Sequence, residues 1–137
     1  MNEPIARSTV LVAGQGAGEA LHVCPPLSFW GGIDPASGRI TDPRHPMHGR
    51  SVSGKVVVTE CVVGSSSGSS IVLELIASGH APAALVLSES DCIATLGVVV
   101  ARAMGYRGFP VILLDRASAG QLSGIVEIDV GGAVYAA

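Results

Sequence analysis

Charge is scarce in this chain. Only 14% of its 137 residues are Asp, Glu, Lys or Arg, against a typical share of about 25%. The net charge is -3 and Lys55 is the single lysine, which excludes the basic footprint of a nucleic-acid-binding protein or a polybasic membrane patch. Because 48% of the residues are hydrophobic, the charge deficit also favours a large contact with a partner, although tight packing of small residues explains part of it.

Long apolar runs and leader-like features are lacking as well. No run approaches the roughly 18 residues that a membrane span needs, and residues 1–4 have no signal-peptide character. Cys24, Cys61 and Cys92 are too widely spaced for a disulfide framework or a C-x-x-C metal site. We therefore predict one cytosolic domain over residues 1–137, with reduced thiols and no membrane segment.

Strand-like and helix-like segments alternate in the second half of the chain. Predicted strands at 55–59, 83–87 and 110–114 are separated by predicted helices at 67–78 and 91–104. A short helical piece at 117–122, a last strand at 125–130 and a tail at 131–137 follow. This alternation predicts right-handed βαβ crossovers and a parallel sheet, so the fold class is α/β.

Two earlier strands, at 9–13 and 19–23, flank the glycine-rich residues 14–18. A dinucleotide fingerprint needs a helix after its last glycine, whereas a second strand follows here. We interpret residues 14–18 as a hairpin-like turn and expect the two strands to form a separate β layer against the parallel sheet.

A proline- and glycine-rich segment, residues 24–53, is predicted to be a long ordered loop. It holds Trp30, the only tryptophan. Trp30 is expected either to line a pocket or an interface, or to pack the loop onto the core as a plug. Arg39, Arg44 and Arg50 are three of the seven arginines, and their forked guanidinium groups suit an anionic substrate or acidic residues of another chain.

The histidines do not form a legible site. His45 and His48 have a possible ligand spacing, but the intervening Pro46 and the lack of a completing carboxylate pattern argue against a metal. No Ser-His-Asp order can be recognised either, because a triad is defined by geometry.

The run Gly-Ser-Ser-Ser-Gly-Ser-Ser at residues 64–70 lies between a predicted strand and a predicted helix. Free backbone N–H groups and the positive end of the helix dipole meet there, which favours an anion or a developing negative charge. A serine of this run could take part in chemistry. Alternatively, the serines only cap the helix and keep the turn soluble.

Four segments occur in a characteristic order: PPLSFWGGIDPASGRI, DPRHPMHG, GSSSGSSIVLELI and APAALVL. Together they resemble the small, swivelling subunit or domain of the aconitase X family, over about residues 10–115. The resemblance implies a swivelling β/β/α domain. It also implies a large-subunit partner, in a heterodimer or higher hetero-oligomer, that carries an iron–sulfur or iron centre on its cysteines.

The resemblance further implies a role for the serines. In aconitase-type enzymes, the first serine of a Gly-Ser-Ser segment acts as the base, and Ser65 matches it. We also predict Gly64, Ser66, Ser67, Trp30 and Arg39 as substrate-binding residues, with helix capping as the alternative role of Ser66 and Ser67. This chain has Ser67 where the aconitase pattern continues with a carboxylate-binding Arg, so citrate is not the expected substrate.

The implied activity is that of a dehydratase acting on a small hydroxy acid. Two substrates follow from the family, cis-3-hydroxy-L-proline and 5-phosphomevalonate. A low Lys and Glu content is unlike the ion-pair-rich surface of a hyperthermophile, so we favour the hydroxyproline substrate. A non-catalytic interaction domain is a further alternative, since the chain carries at most half of an active site.

Overall fold

The computed structural model describes residues 3–136 of the chain. The strands are β1 (Ala6–Arg7), β2 (Thr9–Val12), β3 (Gly16–His22), β4 (Val56–Thr59), β5 (Ala84–Leu87), β6 (Val111–Leu113), β7 (Ile125–Ile128) and β8 (Ala133–Ala136). The helices are α1 (Phe29–Gly32), α2 (Gly68–Ser78), α3 (Ile93–Ala103) and α4 (Arg116–Gly120). Within the described residues, no helix is both long enough and apolar enough to span a bilayer.

The strands are hydrogen-bonded in the order β1-β8-β7-β3-β4-β5-β6-β2. The four central strands, β3 to β6, are parallel. Helices α2 and α3 connect β4 to β5 and β5 to β6, so the predicted βαβ units are confirmed. The β7, β8 and β1 strands form the antiparallel layer, while β2 joins β6 at the opposite edge.

Strand β3 belongs to both parts of the sheet. Its first half pairs with β7 and its second half pairs with β4. The first half passes close to other backbone, since a Cβ on Gly16 or Gly18 would collide with the carbonyl oxygen of Ala83 or Gly54. These glycines therefore permit a close backbone approach.

The predicted hairpin between the first two long strands is wrong. Strand β2 pairs with β6 and strand β3 pairs with β4 and β7. The predicted tail is wrong as well, because Ala133–Ala136 forms β8, although Ala137 lies outside the described residues. Strand β1 was not predicted. The pairing of β2 with β6 and of β1 with β8 joins segments that are distant in sequence, so no local pattern reveals it. Strand β8 pairs with its neighbour β7, and the glycines of the intervening turn give this segment the appearance of a tail.

Alternating side chains of the central strands feed two cores. Val57 of β4 packs with Leu85 of β5 in the core below α2 and α3. Their neighbours Val56 and Val86 face the antiparallel layer and α4. Because successive strand side chains point to opposite faces, a sheet covered on both sides needs apolar residues at every position.

The long loop is ordered, as predicted. Its apolar side chains Leu27, Phe29 and Ile33 are buried in the helix-side core. Isolated bridges join Ile33 to Ile40 and Ser28 to Val63, so the loop is tied to itself and to the segment that follows β4.

Candidate active site

The serine loop, residues 64–67, runs from the segment after β4 into α2. Gly64 has a φ of +100°, in the left-handed region that favours glycine. A Cβ at Gly64 would lie 2.5 Å from Ser28 Oγ, and Ser28 bridges Val63. The long loop thus fixes the position at which the serines begin.

The serine hydroxyls have different hydrogen-bond roles. Ser65 Oγ accepts a hydrogen bond from the Ser67 backbone N–H at 3.3 Å. The Ser69 and Ser70 hydroxyls donate to the carbonyl oxygens of Ser66 and Ser67, each at 2.7 Å. The capping alternative does not hold for Ser67, because its φ of -59° and ψ of -20° are helical and its hydroxyl makes no capping bond.

The start of α2 is electrostatically suited to negative charge. The expected free N–H groups are nevertheless occupied, because those of Gly68, Ser69 and Ser70 bond to the carbonyls of Ser65, Ser66 and Ser67 at 3.0, 3.1 and 3.2 Å. The aligned peptide dipoles of the helix place their positive end at the serine loop. Ser65, Ser66 and Ser67 are all exposed, so a substrate or a partner surface can reach their hydroxyl groups.

Carboxylates lie where β4 and β5 end. Glu60 follows β4 and forms an ion pair with Arg116 at the start of α4. Glu89 and Asp91 follow β5, and Asp91 accepts hydrogen bonds from three backbone N–H groups of the first turn of α3. The carboxyl edge of the parallel sheet is therefore acidic.

Cys61 lies among these carboxylates and four residues before Ser65. Burial, followed by the charges of Glu89, Glu60 and Asp91, raises the pKa of the Cys61 thiol. A thiol with a raised pKa stays protonated at neutral pH, and only the thiolate is a good nucleophile or metal ligand. The raised pKa therefore argues against Cys61 as a nucleophile or a metal ligand.

Trp30 lies on the surface close to the serine loop. Its side chain is 61% exposed, whereas the neighbouring Phe29 is buried. The Trp30 carbonyl accepts a hydrogen bond from the Ser28 hydroxyl at 3.0 Å, and Ser28 touches the loop at Gly64. The interpretation of Trp30 as a plug on the core is wrong, while its placement in a pocket wall or an interface stays open.

Arg39 lies toward the other end of α2. A Cβ on the adjacent Gly38 would be 3.0 Å from the carbonyl oxygen of His80, which follows α2. The Arg39 guanidinium donates to the Gly49 carbonyl at 3.2 Å. Because a helix of 11 residues is about 16 Å long, the structure does not bring Arg39 to the serine loop.

His45 has a structural role. It is buried, its Nε2 lies 2.7 Å from the Pro25 carbonyl oxygen, and its Nδ1 accepts the Met47 N–H at 3.0 Å. Both ring nitrogens are used, so His45 is not available to a metal. Across residues 3–136, no group of three or more His, Cys, Asp or Glu side chains is arranged to hold a metal ion.

Sequence reasoning did not single out Ser28, and it gave Cys61 only as a core thiol. Ser28 lies within the PPLSFWGG motif, but its contact with Gly64 depends on a bridge between segments 35 residues apart. The acidic surroundings of Cys61 come from the ends of two strands that pair side by side. The sequence did contain a signal for these acidic surroundings, because charged residues directly follow two predicted parallel strands.

The sequence profile of the aconitase X swivel domain matches residues 5–133. The chain belongs to the aconitase X swivel family. The earlier resemblance and the swivelling β/β/α fold class are thereby confirmed. The swivel domain is similar to the aconitase X of Thermococcus kodakaraensis in its holo-form, with a TM-score of 0.82, 29% identity, and coverage of 94% of this chain and 95% of that one.

Curated relatives fall into two groups. The cis-3-hydroxy-L-proline dehydratase of Pseudomonas aeruginosa is 45% identical over 106 residues, which are 77% of this chain and 18% of that protein. The phosphomevalonate dehydratase small subunit of Methanothermobacter thermautotrophicus is 36% identical over 124 residues, which are 88% of each chain. The swivel domain thus spans under a fifth of the first relative and most of the second.

Proposed function

We propose that this chain is the small, swivelling subunit of an aconitase X type dehydratase and that Ser65 is its proton acceptor. The observation that carries the proposal is the exposed Ser65 hydroxyl at the start of α2, in a chain of the aconitase X swivel family. Relatives of this size are named as small subunits of a dehydratase, which supports a large chain as the partner.

The reaction removes water from two neighbouring carbons. A proton leaves the carbon beside the substrate carboxyl group, hydroxide leaves the next carbon, and the electron pair of the broken C–H bond forms the double bond. Ser65 Oγ takes the proton. Because a serine hydroxyl has a very high pKa, it can act as a base only as a stabilised alkoxide.

This chain supplies part of that stabilisation. The Ser67 N–H already points at Ser65 Oγ, and the positive end of the α2 dipole favours a negative oxygen there. Ser66 and Ser67 place two further exposed hydroxyls beside Ser65, and we assign them to orienting the substrate. Gly64 sets the turn, and Trp30 borders the loop.

The described residues do not fit an iron centre, because they contain no group of three or more potential ligands arranged around a metal. We therefore assign the iron or iron–sulfur centre expected of the family to the large chain. The complex is proposed to be a cytoplasmic heterodimer or higher hetero-oligomer, with Ser65 facing the large chain.

We favour cis-3-hydroxy-L-proline over 5-phosphomevalonate as the substrate. The surroundings of Cys61, at the carboxyl edge of the sheet, include Glu60, Glu89 and Asp91, with Arg116 paired to Glu60. Such an edge suits a substrate with an ammonium group and repels a phosphate. Conversion of 5-phosphomevalonate but not cis-3-hydroxy-L-proline by the two-chain enzyme would reverse this assignment.

The Ser65 role is tested by Ser65→Ala in complex with the cognate large chain. We expect kcat to fall by roughly 10² to 10⁴-fold, the usual effect of losing a positioned base. Stability should fall by about 1 kcal/mol or less, because the Ser67 N–H loses its acceptor but stays exposed to water. The matched control is Ser70→Ala, which removes an exposed hydroxyl bonded to a carbonyl of the same turn.

Steady-state kinetics and analytical gel filtration of both complexes provide the measurement. Near-wild-type turnover for Ser65→Ala, with Ser66→Ala or Ser67→Ala inactive, would move the role to another hydroxyl. Full activity in all three variants would remove serine catalysis from this chain and favour the interaction-domain alternative.

A further inference from the structure

Helix α3 lacks a charged outer face. Its 11 residues include one charged side chain, Arg102, whose Nε donates to the Arg107 carbonyl at 3.0 Å. Leu96, Val99 and Val100 are exposed along the helix. A helix that is apolar around its circumference is normally buried on every side.

Helix α2, which packs beside α3, has an ordinary solvent-facing side. Its exposed positions include Ser70, Glu74 and Ser78. The comparison matters because both helices cover the same face of the parallel sheet. The apolar exposure of α3 is therefore a property of that helix and not of the whole helical layer.

The exposed face of α3 begins beside the serine loop. A Cβ on Gly68, the first residue of α2, would lie 2.9 Å from Ile93 Cγ2, and a Cβ on Gly97 would lie 2.7 Å from the Ser69 carbonyl oxygen. The first turns of α2 and α3 are thus in contact. A body that closes over the serine loop therefore lies next to Leu96, and the exposed Val99, Val100 and C-cap residue Met104 continue this face toward the C-terminal end of α3.

The size of this face limits what can cover it. A helix of 11 residues, about 16 Å long and 10 Å wide, presents well under the roughly 800 Å² that each partner buries in a stable interface. The face must then be one part of a larger interface. Exposed Val63, directly before Gly64, and exposed Trp30, linked to the loop through Ser28, add further apolar surface near the serine loop.

We infer that the α3 face, formed by Leu96, Val99, Val100 and Met104, is a docking surface for the large chain of the dehydratase. This inference rests on the proposed function, because it takes the serine loop to face that chain. A second copy of the swivel domain is the competing occupant of this surface, and its binding would appear as a homodimer of the free chain.

The experiment measures binding of the cognate large chain to Val99→Glu and Leu96→Glu variants by titration calorimetry. We expect each substitution to weaken binding by about tenfold or more, since a carboxylate would be buried without a partner. The matched control is Val130→Glu at the turn after β7, because Val130 is 55% exposed and Val99 is 50% exposed. The control should bind within about twofold of the unchanged chain.

A photo-crosslinking side chain at position 99, with position 130 as its control, gives a second measurement without adding charge. Cross-links to the large chain from position 99 alone support the inference.

The inference fails if both glutamate variants bind normally in an active complex, while the proposed function survives. It also fails if sedimentation shows a homodimer of the free chain that Val99→Glu dissociates. If the unchanged chain neither binds nor activates the large chain, the proposed function itself is wrong.

Discussion

Gly64 controls where the proposed base lies. The left-handed φ of +100° and the contact with Ser28 Oγ act together, because a side chain at Gly64 would be strained by its own backbone and would also collide with a neighbour. Both effects act one residue before Ser65. A change at Gly64 therefore affects stability and the position of the serine hydroxyl at once.

We predict that Gly64→Ala destabilises the chain by about 1–3 kcal/mol. Gly49→Ala is the matched control, since Gly49 has a φ of +87° with nothing within 4 Å of its added Cβ. Urea denaturation of both variants should show the larger loss for Gly64→Ala. Adding Ser28→Ala to the Gly64→Ala variant should restore only the part of the lost stability that comes from the collision between the new Cβ and Ser28 Oγ. Equal losses for the two glycine variants would show that the Ser28 contact is unimportant.

At the residue scale, the sequence could reveal chemical types but not their contacts. The serine run and Trp30 stand out in the sequence, and the structure links them through Ser28. Ser28 and the carboxylates around Cys61 do not stand out, because their proximity depends on strands and loops that meet across long sequence separations. Arg39 shows the same limit, since the sequence indicates its chemical type but not its distance from the serine loop.

Among the elements, the turn between β7 and β8 is organised by one carboxylate. Asp129 Oδ1 accepts the N–H groups of Gly131 and Ala133, each at 3.0 Å, and Oδ2 accepts the Tyr135 hydroxyl at 3.1 Å. The Ala133 hydrogen bond is the main cause that lowers the pKa of Asp129 below its usual value. The carboxylate form is therefore favoured in the folded chain.

This shift makes the stability of the turn dependent on pH. Asp129 stabilises the fold fully above its unfolded-state pKa of about 4, and that contribution is lost as the pH falls through its lower folded-state pKa. We predict that the difference in urea midpoint between the unchanged chain and Asp129→Asn is constant from about pH 7 to 5 and shrinks below about pH 4. Glu127→Gln, on the exposed side of β7, is the control. A difference that stays constant down to about pH 2 would contradict this account.

The β/α half of the fold follows from local patterns, whereas the antiparallel layer does not. Each βαβ unit joins neighbours in sequence, so apolar runs and helix periodicity are enough to predict it. Strand β2 pairs with β6, and Thr9 lies opposite Leu113. Strand β1 has two residues and exists only through its pairing with β8. The strand at β2 was predicted, but its pairing with β6 and the whole of β1 become visible only when the sheet is assembled.

For the molecule as a whole, the low charge and the exposed apolar residues both indicate an interface with a partner chain. Trp30, Val63 and the α3 face are exposed apolar groups near the serine loop, where a monomer would normally present polar groups. The proposed base is part of this loop, and the described residues contain no group of side chains arranged to hold a metal. The chemistry and the interface are therefore expected to be completed by the same partner.

Trp30 reports on that partner directly, because it is the only tryptophan of the chain and is 61% exposed. We predict that binding of the large chain shifts Trp30 emission to shorter wavelength and protects it from acrylamide quenching, since an indole covered by protein is shielded from water. A complex made with Trp30→Phe supplies the background from the tryptophans of the large chain, and the difference between the two complexes isolates Trp30. Unchanged emission and quenching in a catalytically active complex would show that Trp30 stays in solvent. The interface would then include Val63 and the α3 face but not Trp30.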